Sequence, residues 1–204
     1  MFLCLTLYVW HGMILRGEFM RKLISVLIIC ICVTLCSCAT KNVSYKYIPL
    51  FDETSIRSSL LLKETETVSF IVHTVQPLSG IEIETPLSTG STEKFLIEIY
   101  SFNRDYAKTV ADGKVNVKQE LVCDSKNAKQ TILFGTLGAG SYLIVVRAMS
   151  DQLELTGYEK VSDLAAGCVF LRNGEIQENG SAAISLIFEE GKSTGGVYIT
   201  NDRD

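Results

Sequence analysis

The stretch KFLIEIYSF, residues 94–102, decides the fold class of this chain because apolar residues recur in it at every second position. Side chains alternate between the two faces of an extended strand, so Phe95, Ile97 and Ile99 share one face. Tyr100 lies on the opposite, polar face. The stretch therefore predicts a β-strand that buries its phenylalanine and isoleucine side chains in a core.

The same period of two recurs along most of the chain after Val43. The further stretches of this kind are VSYKYI, TVSFIVHTV, GIEIE, KVNVKQELV, QTILFGTL, SYLIVVRA and AAISLIFEE. They are short and are separated by Gly, Ser, Asn and Asp, which is typical of a sandwich or barrel rather than of alternating strands and helices. The sequence predicts an all-β fold built as an antiparallel β-sandwich.

Two local signals add detail to this prediction. Asn173-Gly174 predicts a β-hairpin, because a type I′ turn needs a positive φ at both of its central residues. Residues 52–64 open with residues that suit one helical turn, but they run directly into β-type sequence. No longer helix is expected there.

Composition limits the class of protein. The chain has 204 residues, 47% of them hydrophobic and 21% charged, which suits one domain with a sizeable core preceded by a leader. Lys and Arg number 19 against 23 Asp and Glu, and no cluster of basic residues stands out. We therefore expect no nucleic-acid partner.

The leader is an N-terminal apolar segment with the layout of a secretory signal peptide. Met20-Arg21-Lys22 supplies the positive start, and the apolar run Leu23–Leu35 that follows is too short for a spanning helix and predicts a signal helix. Residues 1–19 fit no part of this layout. We interpret them as an over-extended start, with Met20 as the initiator and residues 20–37 as the signal peptide.

The sequence Leu35-Cys36-Ser37-Cys38 resembles the lipobox of bacterial lipoproteins, in which an aliphatic residue and two small residues precede a cysteine. The resemblance implies that Cys38 is lipidated with fatty acids such as palmitate and becomes the mature N-terminus. Residues 38–45 would then be a tether and residues 46–204 the β-sandwich, outside the cytoplasm in a bacterial cell envelope. The alternative is a plain signal peptide or a short membrane anchor with incidental cysteines.

A second resemblance covers roughly residues 60–190. The stretches FLIEIYSFNRDYAKTVADGKV, QTILFGTLGAGSYLIVVRA and LTGYEK are similar to the jelly-roll accessory domains of secreted bacterial polysaccharide-degrading and cell-surface proteins. The resemblance implies a jelly-roll sandwich that binds carbohydrate. Phe102 stands where those domains often carry Trp.

The loop YSFNRDYAKT is the candidate ligand-binding segment. Its polar residues suit a turn and bidentate hydrogen bonds to sugar hydroxyls, and the aromatic residues beside them offer stacking surfaces. The candidate residues are Tyr100, Phe102, Asn103, Arg104, Asp105 and Tyr106. In the alternative interpretation, Phe102 and Tyr106 close the end of the sandwich and Asp105 caps the turn.

The residue supply argues against most catalysis, so we expect no enzyme. His73 is the one histidine after the leader, it lies in a predicted strand, and no Gly-x-Ser-x-Gly motif is present. Glycoside hydrolysis needs only two carboxylates and stays an alternative. The acidic residues available for it are Glu82, Glu84, Glu98, Asp105 and Asp151.

No cofactor is expected, and the metal content stays open. Paired Cys or His at zinc-ligand spacing are absent from the sequence, whereas NRD or ADGKVN could supply oxygen ligands for a structural calcium ion. Cys123 and Cys168 follow the leader in a compartment where disulfides persist. They either form a disulfide or are two buried free thiols.

These observations predict a membrane-anchored lipoprotein whose β-sandwich binds a polysaccharide or a cell-surface protein without catalysis. The alternatives are a structural or adhesion lipoprotein with no sugar site, and a hydrolase that uses two carboxylates. A sugar binder should present aromatic rings on one face or loop edge, whereas a hydrolase should hold two facing carboxylates in a cleft.

Replacing Cys38 by serine should abolish both lipidation and membrane association, because only a thiol accepts the diacylglyceryl group. Cys36→Ser is the matched control and should leave both unchanged. If Cys36 were the lipidated residue, Leu35 would stand directly before it, where a small residue is needed. Metabolic labelling with a tagged fatty acid measures the difference. Label on the Cys38→Ser protein would refute the lipobox assignment.

Overall fold

The computed structural model of the chain describes residues 43–51, 56–86, 93–123, 128–159, 168–178 and 180–191. The predicted signal peptide, Cys38 and the first part of the predicted tether lie outside these residues. The described residues include no helix that is long and apolar enough to span a membrane.

Within the described residues the chain forms thirteen strands and one short helix. The helix, α1, is Tyr106–Asp112. The strands in chain order are β1 (Tyr45–Pro49), β2 (Ile56–Leu62), β3 (Thr67–Thr74), β4 (Leu78–Glu84), β5 (Lys94–Ser101), β6 (Val115–Val122), β7 (Lys129–Leu137), β8 (Gly140–Ala148), β9 (Leu153–Glu159), β10 (Val169–Arg172), β11 (Glu175–Ile176), β12 (Ser181–Ala182) and β13 (Ile184–Glu189).

The strands form three antiparallel sheets. A six-stranded sheet has the order β11-β10-β3-β8-β5-β6, a four-stranded sheet the order β1-β13-β4-β7, and a three-stranded sheet the order β12-β9-β2. The main apolar core takes side chains from all three, among them Phe70, Leu155 and Leu186. The result is an all-β, sandwich-like architecture, as the sequence predicted.

All eight stretches with period two form strands, and the predicted hairpin is present. Asn173 and Gly174 have φ of 50° and 84° and connect β10 to β11. Residues 52–55 lie outside the described part, and β2 begins at Ile56, so no helix continues from that region. The expectation of a strand after one turn is confirmed from Ile56 onward.

Strand β5 is buried on both of its faces, which the sequence did not predict. Phe95, Ile97 and Ile99 point into the main core, as expected. Tyr100 was expected on a polar face, but only 4% of it is exposed, and it belongs to a second apolar cluster with Leu143. The expectation for Tyr100 is wrong because α1 covers this face of the six-stranded sheet.

Helix α1 forms directly after the loop that follows β5. Asp105 is its N-cap: the backbone there is extended, and one carboxylate oxygen accepts a hydrogen bond from the Lys108 amide at 2.9 Å. Tyr106 and Val110 of the helix pack on the second apolar cluster. Tyr106 Oη also lies 3.4 Å from Ser69 Oγ on β3, which ties the helix to the sheet.

Ala183 joins the four-stranded sheet to the three-stranded one. It lies between β12 and β13, and its amide donates a hydrogen bond to the Thr156 carbonyl of β9 at 2.8 Å. Its carbonyl accepts one from the Glu84 amide of β4 at 2.9 Å. The two smaller sheets are therefore continuous in hydrogen bonding at this residue.

The hairpin turn at Gly174 packs against the Tyr106 ring of α1, and two glycine substitutions can test this contact. A Cβ on Gly174 would lie 2.9 Å from Cε1 of Tyr106, whereas a Cβ on Gly135, at a similar φ of 80°, would meet nothing within 4 Å. Gly135→Ala should cost about 1–2 kcal/mol of unfolding free energy from the left-handed backbone alone. Gly174→Ala should cost more, and urea denaturation measures both.

The additional cost at Gly174 should vanish in a Tyr106→Ala background, because the ring that meets the new methyl group is then gone. Equal costs for the two glycine substitutions in the unmodified protein would contradict the packing of Tyr106 on this turn.

Candidate functional site

The alternation of β4 places two carboxylates side by side on the outside of the four-stranded sheet. Ile81 and Ile83 are fully buried in the main core. Glu82 and Glu84 therefore point to the opposite face, because side chains two residues apart in a strand lie on the same side. This outer face is where the candidate site is built.

Two cations hold these carboxylates. Lys129 Nζ, from the adjacent strand β7, lies 3.0 Å from Glu82 Oε1 and 3.3 Å from Glu84 Oε1. Arg57, from β2, donates through Nη2 to Glu84 Oε2. The hydrogen bond from Lys129 to Glu82 is the main cause that raises the pKa of the lysine, with Glu84 adding to it, so the ammonium form is stabilised.

Three aromatic side chains lie close to these four charged side chains. Phe51 and Tyr158 stack with ring centroids 4.5 Å apart and an interplanar angle of 16°. Both rings are largely buried and pack with Ala183, the residue that joins the sheets. Tyr47 of β1 remains 46% exposed, so its ring is accessible to a ligand.

These residues line one open cleft of about 660 Å³, which we call the outer cleft. A neighbouring depression of about 410 Å³ shares Arg57 with it and includes Ser58, Ser59 and Glu154. The outer cleft is defined by Tyr47, Pro49, Phe51, Arg57, Glu82, Glu84, Ala128, Lys129, Tyr158 and Ser185. Its size is in the range of small-molecule sites.

The loop that the sequence singled out lies elsewhere, at the end of β5 on the six-stranded sheet. Tyr100 is buried, and Phe102 and Tyr106 are partly buried against the second apolar cluster. Asn103, Arg104 and Asp105 are exposed. Asp105 caps α1, and Arg104 has a left-handed backbone with φ of 57°.

The other acidic candidates for hydrolysis do not lie with Glu82 and Glu84. Glu98 is buried on the outer face of the six-stranded sheet, where Lys118 Nζ contacts it at 3.0 Å and Arg147 Nη2 at 3.7 Å. It also contributes to the raised pKa of Tyr100, of which burial is the larger cause. Asp151 is exposed in the turn between β8 and β9.

His73 is a strand residue of β3, as predicted. Its Nδ1 lies 2.9 Å from Ser141 Oγ on the paired strand β8. Among the described residues, no group of three His, Cys, Asp or Glu side chains lies close enough together to hold a metal ion. The calcium site stays a prediction.

Cys123 and Cys168 are free, buried thiols in the main core. Cys123 follows β6 and Cys168 precedes β10, and β5, β8 and β3 lie between those two strands. Four strand spacings amount to about 19 Å. A disulfide needs Cα atoms within about 7 Å, so the two cysteines do not pair in this fold.

Sequence reasoning missed the outer cleft, although one signal for it was present. GIEIE contains two carboxylates that alternate with two isoleucines, which fixes both carboxylates on one solvent-facing side. The partners Arg57 and Lys129 come from distant parts of the chain, and no local pattern indicates that they meet this pair.

No known family model matches the chain. No curated protein matches its sequence significantly either.

The two thiols should be unreactive in the folded protein and should both react after unfolding. Burial raises the pKa of Cys123 to about 11 and that of Cys168 to about 12, so almost no thiolate forms near neutral pH. Titration with a chromogenic disulfide reagent, without reductant, should give no reaction in buffer and two equivalents from this pair in denaturant. If the pair gave no equivalents in denaturant, a disulfide would be indicated instead.

Proposed function

We propose that the protein is a lipid-anchored, non-catalytic glycan-binding protein of the bacterial cell envelope, and that its ligand binds in the outer cleft. The observation that carries this proposal is the combination on one open face of an accessible aromatic ring and a set of charged side chains joined by ion pairs.

Sugar recognition needs both features. The apolar faces of pyranose rings pack on flat aromatic side chains, and hydroxyl groups need donors and acceptors that are already oriented. Tyr47 offers the exposed ring, and the stacked Phe51 and Tyr158 line the same cleft. The ion pairs of Lys129 with Glu82 and Glu84 fix the polar groups.

We further propose that the sandwich is of the jelly-roll type. Its support is the order of the strands in the two larger sheets. Eight strands can be renumbered one to eight in chain order: β1, β3, β4, β5, β6, β7, β8 and β13. In this numbering the four-stranded sheet has the order 1-8-3-6, and the six-stranded sheet contains the order 2-7-4-5. Two successive Greek keys wound into two sheets produce this order.

Membrane anchoring rests on the sequence around Cys38, and the start of the fold is compatible with it. The described residues begin at Val43 and β1 begins at Tyr45, which lies within the predicted tether. A lipid on Cys38 would thus hold the domain close to the bilayer, and two or three acyl chains would keep it there.

The outer cleft is a better candidate surface than the loop after β5. In that loop Tyr100 is buried, and Asp105 already accepts a hydrogen bond as the helix cap. The side chains of Asn103 and Arg104 are exposed, although the Asn103 backbone amide donates a hydrogen bond to Thr109 Oγ1 at 3.2 Å. We keep this loop as the alternative surface to be tested.

Glycoside hydrolysis is the second candidate function, because Glu82 and Glu84 lie in one cleft. A hydrolase needs one of its two carboxyl groups protonated as the general acid. Here both groups act as acceptors. Glu82 accepts from Lys129 and from the Thr131 hydroxyl, and Glu84 accepts from Lys129 and Arg57. This arrangement favours binding over catalysis.

Glycan binding should depend on Tyr47. We expect the purified protein to bind at least one glycan on an array, and Tyr47→Ala to weaken that binding tenfold or more with little change in melting temperature. Tyr45→Ala is the matched control, because this residue lies on the same face of β1 but outside the cleft. Titration calorimetry with the selected glycan measures both variants.

Three other outcomes would change the proposal. Loss of binding in Arg104→Ala, with Tyr47→Ala unaffected, would move the site to the loop. Release of reducing sugar that disappears in Glu82→Gln or Glu84→Gln would establish a hydrolase. An array with no bound glycan would favour the structural or adhesion role.

A further inference from the structure

The four charged side chains of the outer cleft differ sharply in their exposure to solvent. The side chains of Arg57 and Lys129 are 63% and 57% exposed, whereas those of Glu82 and Glu84 are 11% and 12% exposed. The carboxylates lie against the sheet and the cations lie over them. A ligand that enters the cleft therefore meets positive groups first, although the four charges sum to zero.

The cations also retain donors for a ligand. A guanidinium group has five N–H donors, and within the described part of the chain Arg57 uses them on Glu84 alone. An ammonium group has three donors, and Lys129 directs two hydrogen bonds at Glu82 and Glu84. Among the described residues, no acceptor is seen for the remaining donors of either group.

The carboxylates have less capacity left. Glu82 accepts from Lys129 and, at 3.3 Å, from the Thr131 hydroxyl. Glu84 accepts from Lys129 and Arg57. A ligand group that donates hydrogen bonds would have to displace these partners, whereas a group that accepts them would not.

A carboxylate on the ligand fits these conditions. It only accepts hydrogen bonds, and its two oxygens match the planar fork of a guanidinium in a bidentate pair. Such charge-assisted hydrogen bonds are roughly twice as strong as neutral ones. The neighbouring Tyr47 ring would meanwhile contact the apolar face of the sugar ring that bears the carboxylate.

We propose that the outer cleft selects acidic glycans, in which a uronic acid carboxylate binds Arg57 and Lys129. This inference rests on the proposed function and specifies its class of ligand. The carboxylates Glu82 and Glu84 position the two cations and do not contact the ligand.

The test compares acidic oligosaccharides with neutral counterparts of the same sugars. Oligomers of galacturonate, glucuronate, mannuronate and guluronate are titrated into the purified protein, each beside its carboxyl-reduced form. At least one acid should bind ten or more times as tightly as its reduced form. Arg57→Gln should remove most of this preference, and added salt should weaken the binding of the acid.

Three controls make the test specific. Lys94→Gln removes a lysine that is 52% exposed on the opposite sheet and should change nothing. Arg57→Lys keeps the charge but loses the fork, so it should bind the acid more weakly than the unmodified protein. A sulfated dextran oligomer should bind more weakly than the uronate.

Equal binding of each acid and its reduced form would overturn the acidic preference while leaving glycan binding intact. Equal binding of the sulfated oligomer, with Arg57→Lys unaffected, would reduce the site to unspecific attraction of anions and would also overturn it. Failure of every acidic and neutral glycan to bind would overturn this inference together with the proposed function.

Discussion

The alternation of β4 is the constraint on which the candidate site depends. Because Ile81 and Ile83 must be buried, Glu82 and Glu84 are forced onto one outer face as neighbouring like charges. That arrangement is unfavourable unless cations lie close by, and Lys129 and Arg57 provide them. Core packing thus determines where the charges lie, and the charges determine which side chains must lie over them.

Much of the fold could be predicted from local sequence because it follows from period-two alternation. The eight predicted stretches are the eight strands that give the two larger sheets their order. The prediction failed at α1, which is only two turns long and follows directly on a strand. Its signals were nevertheless present, since Asp105 is a good N-cap and Tyr106, Thr109 and Val110 follow at helical spacing.

The candidate site could not be predicted in the same way, because its residues meet only through tertiary pairing. Arg57 reaches Glu84 across 27 positions of sequence and Lys129 reaches Glu82 across 47. Their meeting depends on the pairing of β4 with β7 and on the hydrogen bonds of Ala183 that join the two smaller sheets. Neither the strand pairing nor these hydrogen bonds can be recognised in the local sequence. The loop after β5 did have a local pattern that suits sugar binding, but the same pattern also suits a helix cap.

The two outer faces of the sandwich differ in how tightly stability and binding are coupled. On the six-stranded sheet, α1 buries Tyr100 and Leu143, so a substitution there removes packing and stability together. On the opposite face the cations are more than half exposed, and such ion pairs contribute about 0–1 kcal/mol to stability. The two cations of the outer cleft can therefore be substituted with little loss of stability, unlike the side chains beneath α1.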